Sequence, residues 1–229
     1  MPRRTTAVTR PTRADAVANR GRLLVAARDV FVEHGPTVAL DEIARRAGCG
    51  IATLYRHFPD RAALMKAVVL DALEHTVAQA RAAADEEAEP FAALVRYMHA
   101  ALDVRAAAVI PALLGAVPLA TDSEIVRARE RGSRTVQYLV DAAHRAGALR
   151  PDVTFADVGL LIVRLSRPLP GSFTRPQNDE LAHRHLDIVV DGLRADANER
   201  RALSGPAMSL DDLHRLPPPP TVATDGASA

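Results

Sequence analysis

The 229-residue chain contains few of the residues on which disulfide scaffolds, thiolate metal sites and aromatic cores depend. It has one cysteine and no tryptophan, aromatic residues make up 3% of it, and Lys66 is its single lysine. One cysteine excludes an internal disulfide and a zinc site built from several thiolates. The chain has no run of 18 apolar residues and no signal-peptide core at its N-terminus, so it predicts a cytoplasmic protein without a membrane partner.

The net charge of +1 is distributed unevenly along the chain. Residues 1–60 contain ten arginines and six acidic residues, a balance of +4, whereas the remainder has a balance of −3. Within residues 1–28 there are seven arginines against Asp15 alone. A basic end joined to a slightly acidic body is typical of a nucleic-acid-binding domain attached to a separate domain.

Residues 40–65 carry the most informative pattern, which predicts two short helices joined by a tight turn and followed by a third helix. The first helix has an apolar stripe at helical spacing, and Gly48-Cys49-Gly50 interrupts it with glycines that permit a sharp corner. The second helix has its own stripe at i, i+3 and i+7, formed by Ile51, Leu54 and Phe58. This pattern indicates a helix-turn-helix, in which the second helix enters the major groove of DNA.

The residues opposite that second stripe have the chemistry of a DNA-reading surface. Ala52 is small enough for a close approach, and its methyl group suits contact with a thymine methyl. Thr53 is suited to a phosphate or a base edge, and Arg56 to a guanine edge or a phosphate. Cys49, in the turn, is predicted to be a small apolar filler rather than a redox switch.

These residues closely resemble the DNA-binding domain of the TetR family of transcriptional regulators over residues 20–68. The resemblance is carried by Ile43-Ala44, Ala47-Gly48, Thr53-Leu54-Tyr55-Arg56-His57-Phe58 and Ala63-Leu64, and it extends back through Leu24, Ala27, Phe31 and Gly35. It implies a homodimer in which each chain has a three-helix DNA-binding domain and a larger helical domain that binds a small molecule.

The resemblance also implies roles for residues that flank the recognition helix. Tyr55 and His57 match positions that usually contact the phosphate backbone, and Arg61 matches a position near phosphate that is commonly lysine. This chain departs from the family where the second helix opens, because Ala39-Leu40 replaces the frequent Ser or Thr. Arg20 and Arg22, together with the basic arm, are expected to compensate by contacting phosphates or the minor groove.

Beyond the helix-turn-helix, periodicity predicts an all-α chain without strands or repeats. The predicted domains are a disordered basic arm at 1–17, a helix-turn-helix DNA-binding domain at 18–60, a helical ligand-binding and dimerisation domain at 61–203, and a disordered proline-rich tail at 204–229. The helices are expected at about 18–34, 40–48, 51–58, 61–84, 91–104, 106–116, 122–146, 158–165 and 178–197.

A ligand pocket is expected between the central helices of the larger domain. Its candidate lining residues are Met98, His99, Leu102, Leu113, Tyr138, Leu161 and Arg164. Each of them also suits an ordinary helical core, and Arg164 in particular suits an acidic ligand, a dimer contact or a side chain that extends to solvent. His183 and His185 lie two residues apart and point to different faces, so no metal site and no cofactor are predicted.

The sequence therefore predicts a DNA-binding regulator, most simply a repressor that a small-molecule effector releases from a palindromic operator. Two chains are expected to pair through the helices at 158–165 and 181–193, with recognition helices about 34–36 Å apart. Three alternatives stay open: a helical scaffold with an idle DNA-reading helix, an enzyme on a helical bundle, and an activator of transcription. The enzyme is disfavoured because no nucleophile, base and orienting group occur at a recognisable spacing.

Overall fold

The computed structural model describes residues 13–114, 119–195, 203–205, 207–209 and 212, and within them the chain is all-α, as predicted. The helices are α1 (Arg13–His34), α2 (Leu40–Arg46), α3 (Ile51–His57), α4 (Arg61–Glu86), α5 (Pro90–Val104), α6 (Ala106–Leu114), α7 (Ser123–Arg145), α8 (Phe155–Leu165) and α9 (Arg175–Leu193). The only extended pairing in these residues is an isolated antiparallel bridge between Leu149 and Arg194.

Most helix ends lie within about three residues of their predicted positions, but the start of α1 does not. The helix begins at Arg13 rather than near residue 18, so the last residues of the predicted 1–17 arm are helical. Asp15 lies in the first turn, where a negative charge interacts favourably with the helix dipole. The rest of the predicted arm lies outside the described residues.

The predicted disordered tail also needs a correction. The carbonyl oxygen of Met208 accepts a hydrogen bond from Oγ1 of Thr154, at 2.9 Å, so this part of the segment packs against the start of α8. Ser209 and Asp212 exchange reciprocal side-chain and backbone hydrogen bonds in the manner of a capping box. Residues 213–229 lie outside the described residues.

Two local features set the geometry of the larger part of the molecule. Thr154 and Asp157 form a reciprocal capping box that starts α8. Arg105 separates α5 from α6 with a left-handed backbone, at φ 52°, which is a rare conformation for a residue with a side chain. The chain therefore turns a corner at Arg105, and the direction of its side chain is set by that corner.

The buried apolar residues form two clusters that do not coincide with the predicted domain boundary at residue 60. The first cluster unites α1, α2, α3 and the Leu64–Leu73 part of α4 with α6 and the start of α7. The second unites the end of α4 with α5, the rest of α7, α8 and α9. Helices α4 and α7 thus run through both clusters.

Lys66, the single lysine, joins those two long helices. Its Nζ lies 2.8 Å from a carboxylate oxygen of Asp122, which caps α7, and 3.0 Å from one of Glu124. The hydrogen bonds to Asp122 and Glu124 raise the pKa of the ammonium group above its ordinary value.

Two adjacent charged residues on α1 are buried against the larger part of the molecule. Arg28 donates to the carbonyl oxygen of Val104 at 3.0 Å and pairs with Asp71 on α4. Asp29 accepts a hydrogen bond from Arg175, at the start of α9, at 2.5 Å. α1 is therefore connected directly to the end of α5 and to α9 by charged side chains.

None of the helices in the described ranges is by itself long and apolar enough to span a membrane. Only α5 and α6 taken together, with a bend of 57° between them, reach the necessary length and composition.

Candidate nucleic-acid interface

A tight turn positions α3 against α2. Gly48 adopts φ +70°, a conformation that favours glycine, and the backbone N–H of Cys49 bonds to the carbonyl oxygen of Ala44 at 3.0 Å. Gly50, in contrast, precedes α3 with an ordinary extended backbone, so only the first of the two predicted corner glycines is needed for its conformation. Cys49 is half-buried in the turn, as a filler of that corner would be.

The inner face of α3 is held by the predicted stripe. Leu54 and Phe58 are almost completely buried in the first cluster, and Ile51 packs against its edge. Because two turns of helix are anchored from one side, the opposite side faces outward with a defined orientation.

That outward face presents the predicted contact residues. Ala52 and Arg56 are exposed, Tyr55 is 49% exposed, and Thr53 is half-buried. Arg56 lies along the helix surface, since its Nε donates to the carbonyl oxygen of Ala52 and its Nη2 to Oγ1 of Thr53, both at 3.2 Å. The guanidinium group thus lies against the first turn of α3, beside Ala52 and Thr53.

The other predicted basic contact residues lie on α1, at the end of α3 and at the start of α4. His57 is half-buried with its ring 6.2 Å from that of Phe58, and the guanidinium of Arg20 lies 5.4 Å from the centre of the same Phe58 ring. Arg22 is exposed and donates to the side chain of Asn19. Arg61 is tied down, because its Nη1 donates to the carbonyl oxygen of Pro36 at 2.8 Å.

The start of α2 lacks the capping side chain that the family often has there, as the sequence indicated. Ala39 precedes it without a side-chain capping bond, and the adjacent Asp41 is exposed. The arginines of α2 are occupied, because Arg45 pairs with Glu42 at 2.7 Å and lowers the pKa of that carboxyl group. Arg46 likewise pairs with a glutamate of α1 at 2.6 Å. The outward basic groups therefore come mainly from α3 and α1.

The seven candidate ligand residues are not brought together around one pocket. Met98, Leu102 and Leu161 belong to the second apolar cluster, whereas Leu113 lies fully buried in the first. Tyr138 is 59% exposed on α7. Arg164 is exposed on α8 and does not line the cavity described next.

A cavity of about 220 Å³ lies between the α5–α6 corner, the end of α8 and the start of α9. Its charged wall includes Arg105, Arg167, Arg175 and Asp179, and of the predicted residues only Leu102 lines it. Sequence reasoning missed this site because its residues come from segments more than sixty positions apart. The sequence did contain one signal for this site: charged residues cluster at 165–180, between the predicted end of one helix and the predicted start of the next.

His99 is bonded to His183 across α5 and α9. Their Nδ1 atoms are 2.8 Å apart and the ring planes differ by 7°, so the hydrogen bond lies in the plane of both rings. Each Nε2 faces a carboxylate: that of His99 faces Asp187 at 3.1 Å, and that of His183 faces Asp103 at 2.9 Å. The ring nitrogens of His99 thus contact His183 and Asp187, so His99 is engaged within the protein.

A short helix anchored from behind, exposing small, hydroxyl and basic groups and joined to a larger helical bundle, defines a helix-turn-helix DNA-binding regulator. Residues 23–68 match the family described as bacterial regulatory proteins of the tetR family, and residues 89–195 match the C-terminal domain of SbtR-like transcriptional regulators. A TetR transcriptional regulator of Streptomyces coelicolor, SCO0520, is 32% identical; the alignment covers 78% of this chain and 99% of that one, with a TM-score of 0.58. The chain belongs to the TetR family of transcriptional regulators.

Two other similarities show less about this chain, because one covers a small part of it and the other has low sequence identity. The HTH-type transcriptional activator FasR of Mycolicibacterium smegmatis is 43% identical over 65 residues, which are 28% of this chain and 30% of that protein. The regulator LfrR of Mycobacterium smegmatis, solved in complex with proflavine, is 24% identical over 75% of this chain and 95% of that one, with a TM-score of 0.55, and shows the fold alone. The chain spans between 24% and 46% of the length of the curated relatives it matches. These proteins and families are transcriptional regulators rather than enzymes, in agreement with the class predicted from the sequence.

Proposed function

We propose that two copies of this chain bind a palindromic DNA operator and repress transcription until a small-molecule effector releases them. The observation that carries the proposal is the outward face of α3, where Ala52, Tyr55 and Arg56 are exposed on a helix whose other side is buried. Thr53 and Arg56 would read bases, while Tyr55, His57, Arg61, Arg20 and Arg22 would hold the phosphate backbone.

Exposed apolar groups on the last two helices support the dimer. Ile188 on α9 is 64% exposed and Phe173, just before α9, is 48% exposed. On α8, Leu160 and Val163 are only half-buried within one chain. Pairing α8 and α9 with their copies would bury these side chains in a four-helix interface and place the recognition helices in successive major grooves, about 34–36 Å apart.

The larger part of the chain, residues 61–203, is the proposed site of effector binding. A small molecule is bound to LfrR, which shares this fold. An effector changes DNA binding only if it has different affinities for two arrangements of the dimer. Operator release therefore requires a site whose contacts differ between the two arrangements.

The sign of regulation needs its own test, because the similar protein FasR is a transcriptional activator. A reporter placed behind the operator in cells with and without the protein distinguishes the two signs. Repression predicts higher reporter output without the protein, and lower output would assign the chain as an activator. Because its partner is bacterial DNA, the protein is proposed to act in the cytoplasm.

Selection of bound sequences from a random DNA pool at near-physiological salt tests the central claim. We expect enrichment of an inverted repeat whose half-sites are one helical turn apart. Weak, salt-sensitive binding without enrichment would contradict sequence-specific recognition and favour a scaffold whose DNA-reading helix is idle.

The dimer is tested separately by sedimentation of the protein and its Ile188→Asp variant. A charge in the proposed interface should shift the protein to monomer and weaken operator binding. Tyr138→Asp is the matched control, because Tyr138 is comparably exposed but lies on α7. An unchanged dimer in the Ile188 variant would place the interface elsewhere.

A further inference from the structure

The 220 Å³ cavity at the α5–α6 corner combines apolar surface with three arginine side chains. Leu102 and Leu165 contribute apolar surface. Three arginines line it, against two carboxylates, those of Asp103 and Asp179. The volume is below that of sites for drug-sized molecules, which are roughly 300–1,000 Å³, so the cavity suits a small ligand.

Arg105 is a buried and fixed part of the cavity wall. Its side chain is only 6% exposed, and its guanidinium donates to Asp179 at 2.5 Å. The left-handed backbone at this residue turns α5 into α6 and thereby directs the side chain towards α9. A buried guanidinium needs an anionic partner, and here that partner is a half-exposed carboxylate that a ligand can replace.

Arg175 and Arg167 supply the remaining positive charge. The guanidinium of Arg175 is shared, with Nη1 2.5 Å from Asp29 on α1 and Nε 3.7 Å from Asp179. Arg167 is exposed at the end of α8, and it forms no ion pair with any residue that the structure describes. An entering anion would therefore meet Arg167 without an ion-pair partner among the described residues, and two guanidinium groups that are already paired with Asp179 and Asp29.

We propose that this cavity binds a small organic acid, with its carboxylate held by Arg105, Arg167 and Arg175 and its apolar part against Leu102 and Leu165. The added carboxylate would pair with Arg167, the lining arginine that has no ion-pair partner among the described residues. Arginine suits this role because its planar group binds a carboxylate through two parallel hydrogen bonds. The inference rests on the proposed function, since it names the effector class of the same regulator.

The same contacts connect the acid to the DNA-binding surface. When the ligand draws Arg175 away, Asp29 is left without its arginine, with a side chain that is only 9% exposed. A buried unpaired charge is costly, so α1 shifts until the carboxylate reaches water. The neighbouring Arg28 is bonded to the α5–α6 corner itself, and α1 carries Arg20, which packs on Phe58 behind α3. Acid binding and operator binding thus favour different positions of α1.

Calorimetric titration of the full chain with benzoate, hexanoate and 3-methylbutanoate, each against its uncharged primary amide, tests the site. We expect at least one acid to bind at least tenfold more tightly than its amide. Arg167→Gln should weaken that acid about tenfold, because a hydrogen bond to a charged group is lost. Arg164→Gln is the matched control, since this arginine is exposed in the last turn of α8, three residues earlier, but outside the cavity. Equal binding of acids and amides, or equal effects of the two substitutions, would overturn the site.

The coupling between acid binding and operator binding is tested with the operator obtained by selection from the random DNA pool. The acid should weaken operator binding by the wild type about 5–150-fold, the usual range of coupling between two sites. Asp29→Asn should still bind the acid but respond much less on DNA, because its neutral amide loses little when Arg175 leaves. A full response in Asp29→Asn would overturn the coupling route. Operator binding that is intact but insensitive to every acid would refute this inference alone, whereas failure to bind any operator would refute the proposed function.

Discussion

At the scale of the residue, the protein holds Arg56, which we propose to contact DNA, in weak local contacts. Among the described residues, the guanidinium group of Arg56 is bonded to Ala52 and Thr53 of its own helix, both at 3.2 Å and in water-exposed positions. Such bonds contribute little and exchange readily for bonds to water or to a base. Releasing Arg56 from these bonds for a contact with DNA therefore costs little free energy.

Replacing Arg56 with alanine tests whether it reads a base. If the guanidinium contacts a guanine edge, Arg56→Ala should cost about 1–3 kcal/mol in operator binding and relax specificity at one base pair. Repeating the selection with the variant measures both effects, with Arg134→Ala, an exposed arginine on α7, as control. A uniform loss over all sequences would assign Arg56 to a phosphate instead.

Tyr55 is expected to contact phosphate through its hydroxyl group, because its ring lies at the edge of the exposed face of α3 and is 49% exposed. Tyr55→Phe should weaken binding without changing the preferred sequence, since phosphate contacts carry no sequence information directly. Comparison of the selected sequences of the two proteins measures this. A changed consensus would show that the hydroxyl group reads a base.

At the scale of the element, several helices are held by side chains from a distant part of the chain. Asp122 caps α7 by accepting from the backbone N–H groups of Glu124 and Ile125, at 2.9 and 3.2 Å. Lys66 on α4 donates to the same carboxylate at 2.8 Å. One aspartate thus joins the start of α7 to the first apolar cluster.

This arrangement predicts an acid-sensitive contribution to stability. The hydrogen bond from Lys66 is the main cause that lowers the pKa of Asp122, and the backbone N–H groups of Ile125 and Glu124 add to it. A lowered folded-state pKa contributes stability above the unfolded-state pKa, and that contribution is lost as pH falls through the folded-state value. The free energy of unfolding, measured with denaturant across the acidic pH range, should fall less steeply with decreasing pH in Asp122→Asn than in the wild type. Asp85→Asn, exposed near the end of α4, should behave like the wild type; equal slopes for all three proteins would contradict the role of Asp122.

Local sequence signals were sufficient for the helices but not for the contacts between them. The capping residues Asp122 and Thr154, the glycine turn and the apolar stripes all act within one or two turns, so the helices and the α3 surface were predicted closely. The cavity depends on pairs such as Asp29 with Arg175, which are 146 residues apart. No periodicity encodes such a pair, because it arises only after α9 has packed beside the α5–α6 corner.

At the scale of the whole molecule, the DNA-binding helices share their core with the rest of the chain. Buried residues of α6, including Val109 and Leu113, belong to the same apolar cluster as Leu54 behind the recognition helix. Separation at residue 60 would therefore expose apolar surface on both sides of the cut. The helix-turn-helix is expected to depend on α6 for its stability.

Leu113→Ala tests this dependence. Leu113 is fully buried, so the change should destabilise the protein by about 2–5 kcal/mol. If the core is shared, amide hydrogen exchange should accelerate in α1 and α3 as well as in α6. Leu169→Ala, at a position 40% exposed, is the control. Acceleration confined to α6 and its neighbours in the second cluster would show that the two parts unfold independently.

Helix α4 begins four residues after the end of α3 and continues into the second apolar cluster. Its 26 residues make it about 39 Å long, at roughly 1.5 Å per residue. At that length it acts as a lever: a tilt of about 5° at one end displaces the other by about 3.4 Å, the rise of one base pair along a DNA strand. Because the start of α4 shares its apolar cluster with α1, α2 and α3, such a tilt would carry the recognition helix with it, by about one base-pair step.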